Sequence, residues 1–219
     1  MNESRRRFPW TIFLGLTLVV LTLAVVMFMT QLRRAATQVR PNIPDYGQVV
    51  DFTLTNQHGA SVSLADLSGK VWIADIIFTR CPGPCARMTR QMKELQDSLG
   101  SESGVKLVSL TTDPDFDVPE VLLTYAERFG ADTNRWMFLT GSKPQLARAA
   151  IEGLKLAAVE KKPEERESAD DLFIHSTIFV VVDGNGKLRG IFETGGEGVD
   201  WNSSKQQLLE LVRQLERER

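Results

Sequence analysis

Short apolar runs alternate with amphipathic stretches through most of the chain. Val71–Phe78 and Val105–Thr111 are apolar runs bounded by turn residues, a pattern typical of buried strands. Each run is followed by a stretch with apolar residues at helical spacing, Cys85–Leu99 after the first and Pro119–Phe129 after the second. Strands that alternate with helices predict an α/β fold, a mixed sheet flanked by helices with parallel strands at its centre.

Further elements are predicted on both sides of this unit. Polar–apolar alternation over Val50–Thr55 and Ala60–Leu64 predicts a hairpin, and a second hairpin is predicted to turn at Gly184–Gly186. The other predictions are strands over Trp136–Leu139, Leu154–Val159, Leu172–Asp183 and Lys187–Phe192, a helix over Ser142–Glu152 capped by Ser142, a solvated charged loop over Glu160–Asp171, and a last helix capped by Asn202 or Ser203.

The most hydrophobic part of the chain is an N-terminal stretch, residues 8–30, that contains no charged side chain. At about 1.5 Å per residue a helix of this length crosses a bilayer core of roughly 30 Å. Its length favours a retained membrane anchor over a signal peptide cut near Ala35–Thr37, because the apolar region of a signal peptide is usually about 7–15 residues. A twin-arginine signal at Ser4–Phe8 is the weaker interpretation.

Three regions are therefore predicted: a cytoplasmic tip and transmembrane anchor over 1–30, a tether over 31–48 and a globular domain over 49–219. The anchor places residues 8–30 in the lipid bilayer. The net charge of −2 gives no indication of a nucleic-acid partner.

The chain has only two cysteines, and they lie in the segment Cys81-Pro82-Gly83-Pro84-Cys85 directly after the strand ending at Phe78. Two cysteines are too few for a disulfide framework and indicate one reactive pair. The segment predicts a strand, a tight turn and a helix, with both thiols on one face of the first helical turn. A helix N-terminus lowers thiol pKa values, which aids metal binding and redox attack. The alternative is two small buried apolar side chains.

Two histidines are present. His58 lies in a polar turn and is expected at the surface, whereas His175 opens an apolar strand and is either a core residue or a ligand. Two thiolates and one imidazole suit copper, because sulfur favours Cu(I) and imidazole accommodates Cu(II). A structural zinc site requires four protein ligands, which fits this set less well. Methionines at helical spacing after Cys85 are interpreted as core residues rather than a copper path.

Asp75 is a carboxylate inside the apolar strand, six residues before Cys81. An ionised buried carboxylate is costly unless it is paired, so Asp75 either has a special role or lies at a partly wet edge position. Thioredoxins carry a buried aspartate at the same separation from their first cysteine, where it assists proton movement during disulfide exchange.

Three motifs together resemble the Sco/SenC family over about Val49–Gly195. They are the cysteine segment Cys81–Cys85, the segment Thr111–Glu120 with its Asp113-Pro114, and His175-Ser176-Thr177 before Val180–Gly184. The resemblance implies a thioredoxin-like fold that binds copper through Cys81, Cys85 and His175. It also implies a role in metallating the dinuclear copper site of cytochrome c oxidase, by handing over copper or by reducing the target's cysteines. Asp117 matches an acidic position of the family.

The chain departs from the family pattern at three positions. Family members often have proline where this chain has Ala86, arginine where it has Phe116 and aspartate where it has Ile174. The last departure removes an acceptor that would orient the histidine, so this orientation must come from elsewhere. No ligand is removed.

The resulting hypothesis is a membrane-anchored copper chaperone rather than an enzyme, with its N-terminus cytoplasmic and its domain on the extracytoplasmic side, periplasmic or intermembrane-space. Its expected partner is the copper-receiving subunit of a terminal oxidase. The alternative is a thiol–disulfide oxidoreductase in which Cys81 and Cys85 form the redox pair and Asp75 transfers protons. Redox thioredoxins have two residues between their cysteines, not three, which favours the copper hypothesis. Peroxide reduction and a purely structural role fit the pattern less well.

Overall fold

The computed structural model describes residues 10–37, 43–81, 83–166 and 173–218. Arg5–Arg7, Pro82 and the end of the predicted charged loop lie outside the described residues. Within them the helices are α1 Trp10–Thr37, α2 Pro84–Leu99, α3 Pro119–Arg128, α4 Lys143–Ala147 and α5 Trp201–Arg217, and the strands are β1 Thr53–Asn56, β2 Ser61–Ser63, β3 Trp72–Ile77, β4 Lys106–Thr111, β5 Trp136–Thr140, β6 Ala158–Glu160, β7 Phe173–His175, β8 Ile178–Val182 and β9 Leu188–Glu193.

The residues fall into two units, Met1–Asn42 and Ile43–Arg219. In the first unit α1 contains a stretch, Phe13–Gln31, that is long and apolar enough to cross a membrane. Its described side chains are largely exposed, for example Leu14 and Leu21 at 64% and 68%. Length and apolar composition alone permit a membrane span here, and a signal sequence near the N-terminus can share these two properties.

The second unit is built on a seven-stranded sheet in the order β2-β1-β5-β4-β3-β8-β9. The central strands β3, β4 and β5 are parallel, and β8 and β9 add antiparallel to β3. The prediction of a mixed sheet with parallel strands at its centre is therefore confirmed. β6 and β7 pair separately as a small antiparallel ladder in which Ala158 lies opposite His175.

Alternate residues of β3 enter two cores, one on each face of the sheet. Ile73 and Ile77 pack with α2, α3 and α5 on one face, in a core that includes the predicted methionine stripe of α2. Trp72 and Ile76 pack on the other face with α4 and the turn after it. Because side chains alternate across a strand, every odd-numbered position of β3 faces α2.

Several local predictions need correction. The helix predicted over Ser142–Glu152 does begin at the predicted cap, Ser142, but it is a short α-helix that changes to π-helical geometry over Arg148–Gly153. The strand predicted over 172–183 is divided into β7 and β8 at Ser176-Thr177. The strand predicted over 154–159 begins only at Ala158 and extends to Glu160 as β6. The last helix is capped by Asp200, whose side chain accepts a hydrogen bond from the Asn202 N–H at 3.0 Å, and not by Asn202 or Ser203.

The residues just before β1 are held on the hairpin of β8 and β9. Tyr46 N–H donates to the Leu188 carbonyl, and Leu188 N–H donates to the Gly47 carbonyl, each at 2.9 Å. Asp45 and Lys187 form an ion pair at 2.7 Å. These bonds cover part of a sheet edge, which would otherwise present unpaired backbone groups.

Candidate metal centre

Three chain segments meet at one end of the sheet, where the parallel strands β3 and β4 finish. The cysteine segment follows the carboxyl end of β3, and Thr112–Val118 follows the carboxyl end of β4, which is parallel to β3. β8 is antiparallel to β3, so the residues before β8 lie at this same edge. The carboxyl edge of a parallel sheet is where α/β folds commonly place their sites.

The two thiols contact each other at the end of β3. Cys85 is 1% exposed and packs in the core between β3 and α2, whereas Cys81 is half-buried. Their side chains are hydrogen-bonded to each other. The Phe78 backbone holds both residues, because its N–H donates to Cys85 Sγ at 3.5 Å and its carbonyl accepts from the Cys81 N–H at 3.2 Å. The predicted convergence of the two side chains is thus present.

Two details of the sequence prediction for this pair are wrong. The helix begins at Pro84, so Cys81 lies in the turn before it and only Cys85 lies on the first turn. The pKa of the Cys85 thiol is raised, because burial and the hydrogen bond with Cys81 disfavour a thiolate. The lowered pKa expected from the helix N-terminus is therefore not found for Cys85.

We therefore predict unequal labelling of the two cysteines. Iodoacetamide is expected to modify Cys81 about tenfold or more faster than Cys85 at neutral pH, because only Cys81 is accessible and burial holds Cys85 as the thiol. Peptide mass spectrometry of the reduced full chain measures both rates. In a Cys81→Ser variant, Cys85 is the only cysteine left, so its slow rate can be measured alone. Equal rates for the two thiols would contradict this arrangement.

The structure describes the backbone of His175 as the last residue of β7, and the position of its side chain lies outside the description. Ser176 fixes the backbone next to it: its N–H donates to the Ala157 carbonyl, and its Oγ accepts from the Ala157 N–H, both at 2.8 Å. The topology thus brings His175 to the sheet edge that carries the thiols. No group of three or more metal-binding side chains is assembled among the side chains that are described, and these do not include His175.

Asp75 is completely buried, which excludes the partly wet edge position considered from the sequence. It lies on an odd-numbered position of β3, opposite Ser109 of β4, and therefore faces the same core as Cys85. Burial is the main cause of the raised pKa values of Cys85 and Tyr125, and a carboxylate charge at Asp75 raises both a little further, so Asp75 is close enough to act electrostatically on both groups. Asp75 is therefore placed to influence the protonation of the thiol pair.

The loop after β4 contacts the residues just before Cys81 through Asp113, Phe116 and Asp117, which we call the clamp. Arg80 donates to Asp113 Oδ2 from Nη2 at 2.5 Å and from Nε at 3.2 Å, and its guanidinium lies 4.1 Å from the ring centroid of Phe116. The ring of Phe116 thus packs against the arginine of the cysteine segment. Sequence reasoning missed Arg80 and Thr79, although the acid-rich segment after β4 was a signal that a basic partner should exist.

Asp117 completes this clamp from a fully buried position. It accepts a hydrogen bond from the Thr79 N–H at 3.1 Å and further bonds from the hydroxyls of Thr79 and Thr111. Burial nevertheless raises the pKa of the Asp117 carboxyl, because desolvation exceeds the effect of these donors. Asp117 thus positions the cysteine segment through Thr79.

An Asp117→Asn variant is expected to show a pH-dependent loss of stability. A raised carboxyl pKa in the folded state means that the wild type gains stability as pH falls toward the unfolded value of about 3.8, and asparagine cannot contribute this gain. The deficit of the variant, about 1–2 kcal/mol at pH 7 from weakened hydrogen bonds, should therefore grow toward pH 4. Urea unfolding at both pH values measures it, and a deficit that shrinks toward pH 4 would refute the assignment.

The fold and the thiol pair define a thioredoxin-like domain with two cysteines at a strand–helix junction. Residues 44–208 match the SCO1/SenC family profile, so the chain belongs to the SCO1/SenC family, as the sequence motifs indicated. It is 38% identical over 143 residues to the SCO1 protein homolog of Bacillus subtilis, a match that covers 64% of this chain and 71% of that protein.

Solved structures agree with this assignment. BsSco, a member of the Sco family of cytochrome c oxidase assembly proteins in which a disulfide switch was identified, superimposes with a TM-score of 0.62 at 31% identity, covering 80% of this chain and 96% of that one. Yeast Sco1 with copper bound has a TM-score of 0.62 at 22% identity, covering 76% of this chain and 89% of that one, and at this identity it supports the fold alone.

Proposed function

We propose that this protein is a membrane-anchored copper-binding factor that assists assembly of the copper site of cytochrome c oxidase. The observation that carries the proposal is the pair of hydrogen-bonded thiols at the carboxyl edge of the sheet, to which the fold also brings the strand ending at His175. Copper is the cargo, and Cys81, Cys85 and His175 are the proposed ligands. Family membership supports the same assignment, since BsSco is named a cytochrome c oxidase assembly protein.

The donor set fits copper in both oxidation states. Two sulfur ligands, one of them buried in an apolar core, favour the soft and weakly hydrated Cu(I), and an imidazole from His175 makes Cu(II) binding favourable as well. Since a thiolate is the ligand and burial keeps Cys85 protonated, copper uptake releases protons. The half-buried Cys81 gives a partner protein access to the metal.

The proposed location follows from the N-terminal stretch. We propose that α1 anchors the chain in the bilayer, that the N-terminus is cytoplasmic, and that residues 31–48 tether the domain on the extracytoplasmic side. The proposed partner there is the copper-receiving subunit of a terminal oxidase. Cysteine labelling of intact cells with a membrane-impermeant maleimide tests the orientation, because only an extracytoplasmic Cys81 would react.

Titration of the reduced full chain in detergent with Cu(I) and with Cu(II) tests the function. We expect one tightly bound copper and, for Cu(II), a thiolate-to-copper charge-transfer band that is lost in Cys81→Ser and in Cys85→Ser. A Thr124→Ser variant, altered at an exposed position of α3, is the control and should bind copper as the wild type does. Weak binding that the cysteine variants leave unchanged would rule out the copper role.

A second candidate is thiol–disulfide exchange, favoured by the buried position of Asp75 on the face of Cys85. In this reaction Cys81 attacks a target disulfide, Cys85 resolves the mixed disulfide, and two thiols are oxidised while the target gains two electrons and two protons. Asp75 would accept the proton of Cys85. The disulfide switch named for BsSco gives this candidate further support.

Reduction of a model disulfide by the copper-free chain separates the two candidates. If exchange is the function, Asp75→Asn should slow the reaction about tenfold or more, while Ser109→Ala, a change at the facing residue of β4, should not. Negligible exchange by the wild type, together with tight copper binding, would exclude this second candidate.

A further inference from the structure

The residues that follow His175 are connected to the helix that carries Cys85 by a chain of buried and partly buried hydrogen bonds. The Thr177 carbonyl accepts two of these bonds from one residue, from the Thr194 N–H at 2.9 Å and from Thr194 Oγ1 at 2.7 Å. Thr194 is 1% exposed and follows directly on β9. The backbone two residues after His175 is thus held by the end of the neighbouring strand.

Gln91 of α2 extends this chain to the thiol pair. Its Nε2 donates to the Thr194 carbonyl at 2.8 Å, and Gln91 lies six residues after Cys85 on the same helix. Gln91 is 6% exposed, and its Oε1 has no hydrogen-bond partner among the described residues. Leaving a buried carbonyl oxygen without a partner is unfavourable, so the value of an amide at this position lies in the hydrogen bond that its Nε2 donates.

The neighbouring glycine shows how closely α2 approaches this segment. A Cβ atom on Gly195 would lie 2.6 Å from Nη2 of Arg87, so the side chain of Arg87 packs directly against the backbone there. The junction of β7 and β8 is therefore fixed from two sides, by Ala157 through Ser176 and by α2 through Thr194.

We infer that Gln91 and Thr194 are positioning residues that hold the His175 segment at a fixed distance from the Cys85 helix before any metal binds. This inference rests on the proposed function. The hydrogen bonds of Gln91 and Thr194 position the backbone of this segment, whereas Ile174 has no side-chain acceptor that could orient the histidine. Outer residues that orient a ligand are typically worth about 10–100-fold in metal affinity. Since Cu(II) needs the imidazole more than Cu(I) does, their removal should weaken Cu(II) selectively.

The test compares three variants of the full chain in detergent. Thr194→Val removes the hydroxyl at constant shape, Gln91→Met removes the amide at similar length, and Thr194→Ser keeps the hydroxyl. We expect the first two to weaken Cu(II) binding about tenfold while Cu(I) binding changes less than about threefold. A tenfold selective loss of Cu(II) affinity raises the reduction potential of the bound copper by about 59 mV. Thr194→Ser should behave as the wild type.

A control variant and a measurement on the copper-free chain distinguish a change in the position of the His175 segment from a general loss of stability. Ser109→Ala removes another buried hydroxyl, the acceptor of Trp136 Nε1 at 3.0 Å, and should destabilise the fold without changing the potential. In the copper-free chain, Thr194→Val and Gln91→Met should each accelerate amide hydrogen exchange at positions 194 and 176, and Ser109→Ala should not. Wild-type potentials and exchange rates in both test variants would overturn this inference and leave the copper role intact. A wild type that binds no copper would overturn both.

Discussion

Replacement of His175 by alanine is expected to lower the affinity for Cu(II) about 100-fold or more and to change the affinity for Cu(I) less than about tenfold. Cu(I) is satisfied by two thiolates, which the variant keeps, whereas Cu(II) depends on a nitrogen ligand. The charge-transfer band of the Cu(II) form should be lost or displaced. Competition titrations with chelators of known affinity, carried out separately for the two oxidation states, measure both constants.

The chain offers a matched control for this prediction. His58, the other histidine, is exposed in the turn between β1 and β2, and its N–H donates to the Asn56 side chain. His58→Ala should leave both copper affinities unchanged. An equal loss of Cu(I) and Cu(II) affinity in His175→Ala would show that the histidine acts on the fold of the site and not as a ligand that selects Cu(II).

Replacement of Phe78 by alanine is expected to destabilise the domain by about 3–5 kcal/mol, the usual range for a phenylalanine removed from a packed core. Phe78 is 1% exposed and lies in the core between β3 and α2, together with Cys85. Its backbone bonds to both cysteines, so the cavity should also free the turn that carries them. We expect alkylation of Cys85 under native conditions to accelerate about tenfold or more.

Phe52→Ala is the appropriate comparison. Phe52 belongs to the core on the opposite face of the sheet, so its removal should cost stability without exposing the thiols. Urea unfolding gives the loss of stability, and mass spectrometry of alkylated peptides gives the accessibility of Cys85. Equal acceleration in both variants would mean that Cys85 is labelled through global unfolding, and Phe78 would then have no particular role at the site.

The clamp around the cysteine segment shows why part of the site was beyond sequence reasoning. Arg80 and Asp113 are 33 residues apart, and nothing in the local pattern states that the turn after β3 packs against the loop after β4. The parallel register of β3 and β4, which places Ile77 beside Thr111, brings them together. The same holds for Gln91 and Thr194, which are 103 residues apart.

Two predictions of helix starts, those of α5 and α2, were wrong for local physical reasons. The cap of the last helix was misassigned because α5 begins at Trp201, earlier than predicted, which makes Asp200 the capping residue. Cys81 was assigned to the helix because the spacing of the cysteines matches one helical turn, but helix α2 begins at Pro84, and proline at the first helical position is a common start.

Residue order alone is sufficient to predict the strand–helix order, the single thiol pair, the apolar N-terminal stretch and the family. These follow from hydrophobic periodicity and from motifs, which are properties of residues close together along the chain. Only the folded arrangement shows that Cys85 and Asp75 are fully buried on one face of the sheet, and that burial keeps the Cys85 thiol protonated. Burial and electrostatics depend on which distant segments pack together, and the pattern of a single segment does not contain that information.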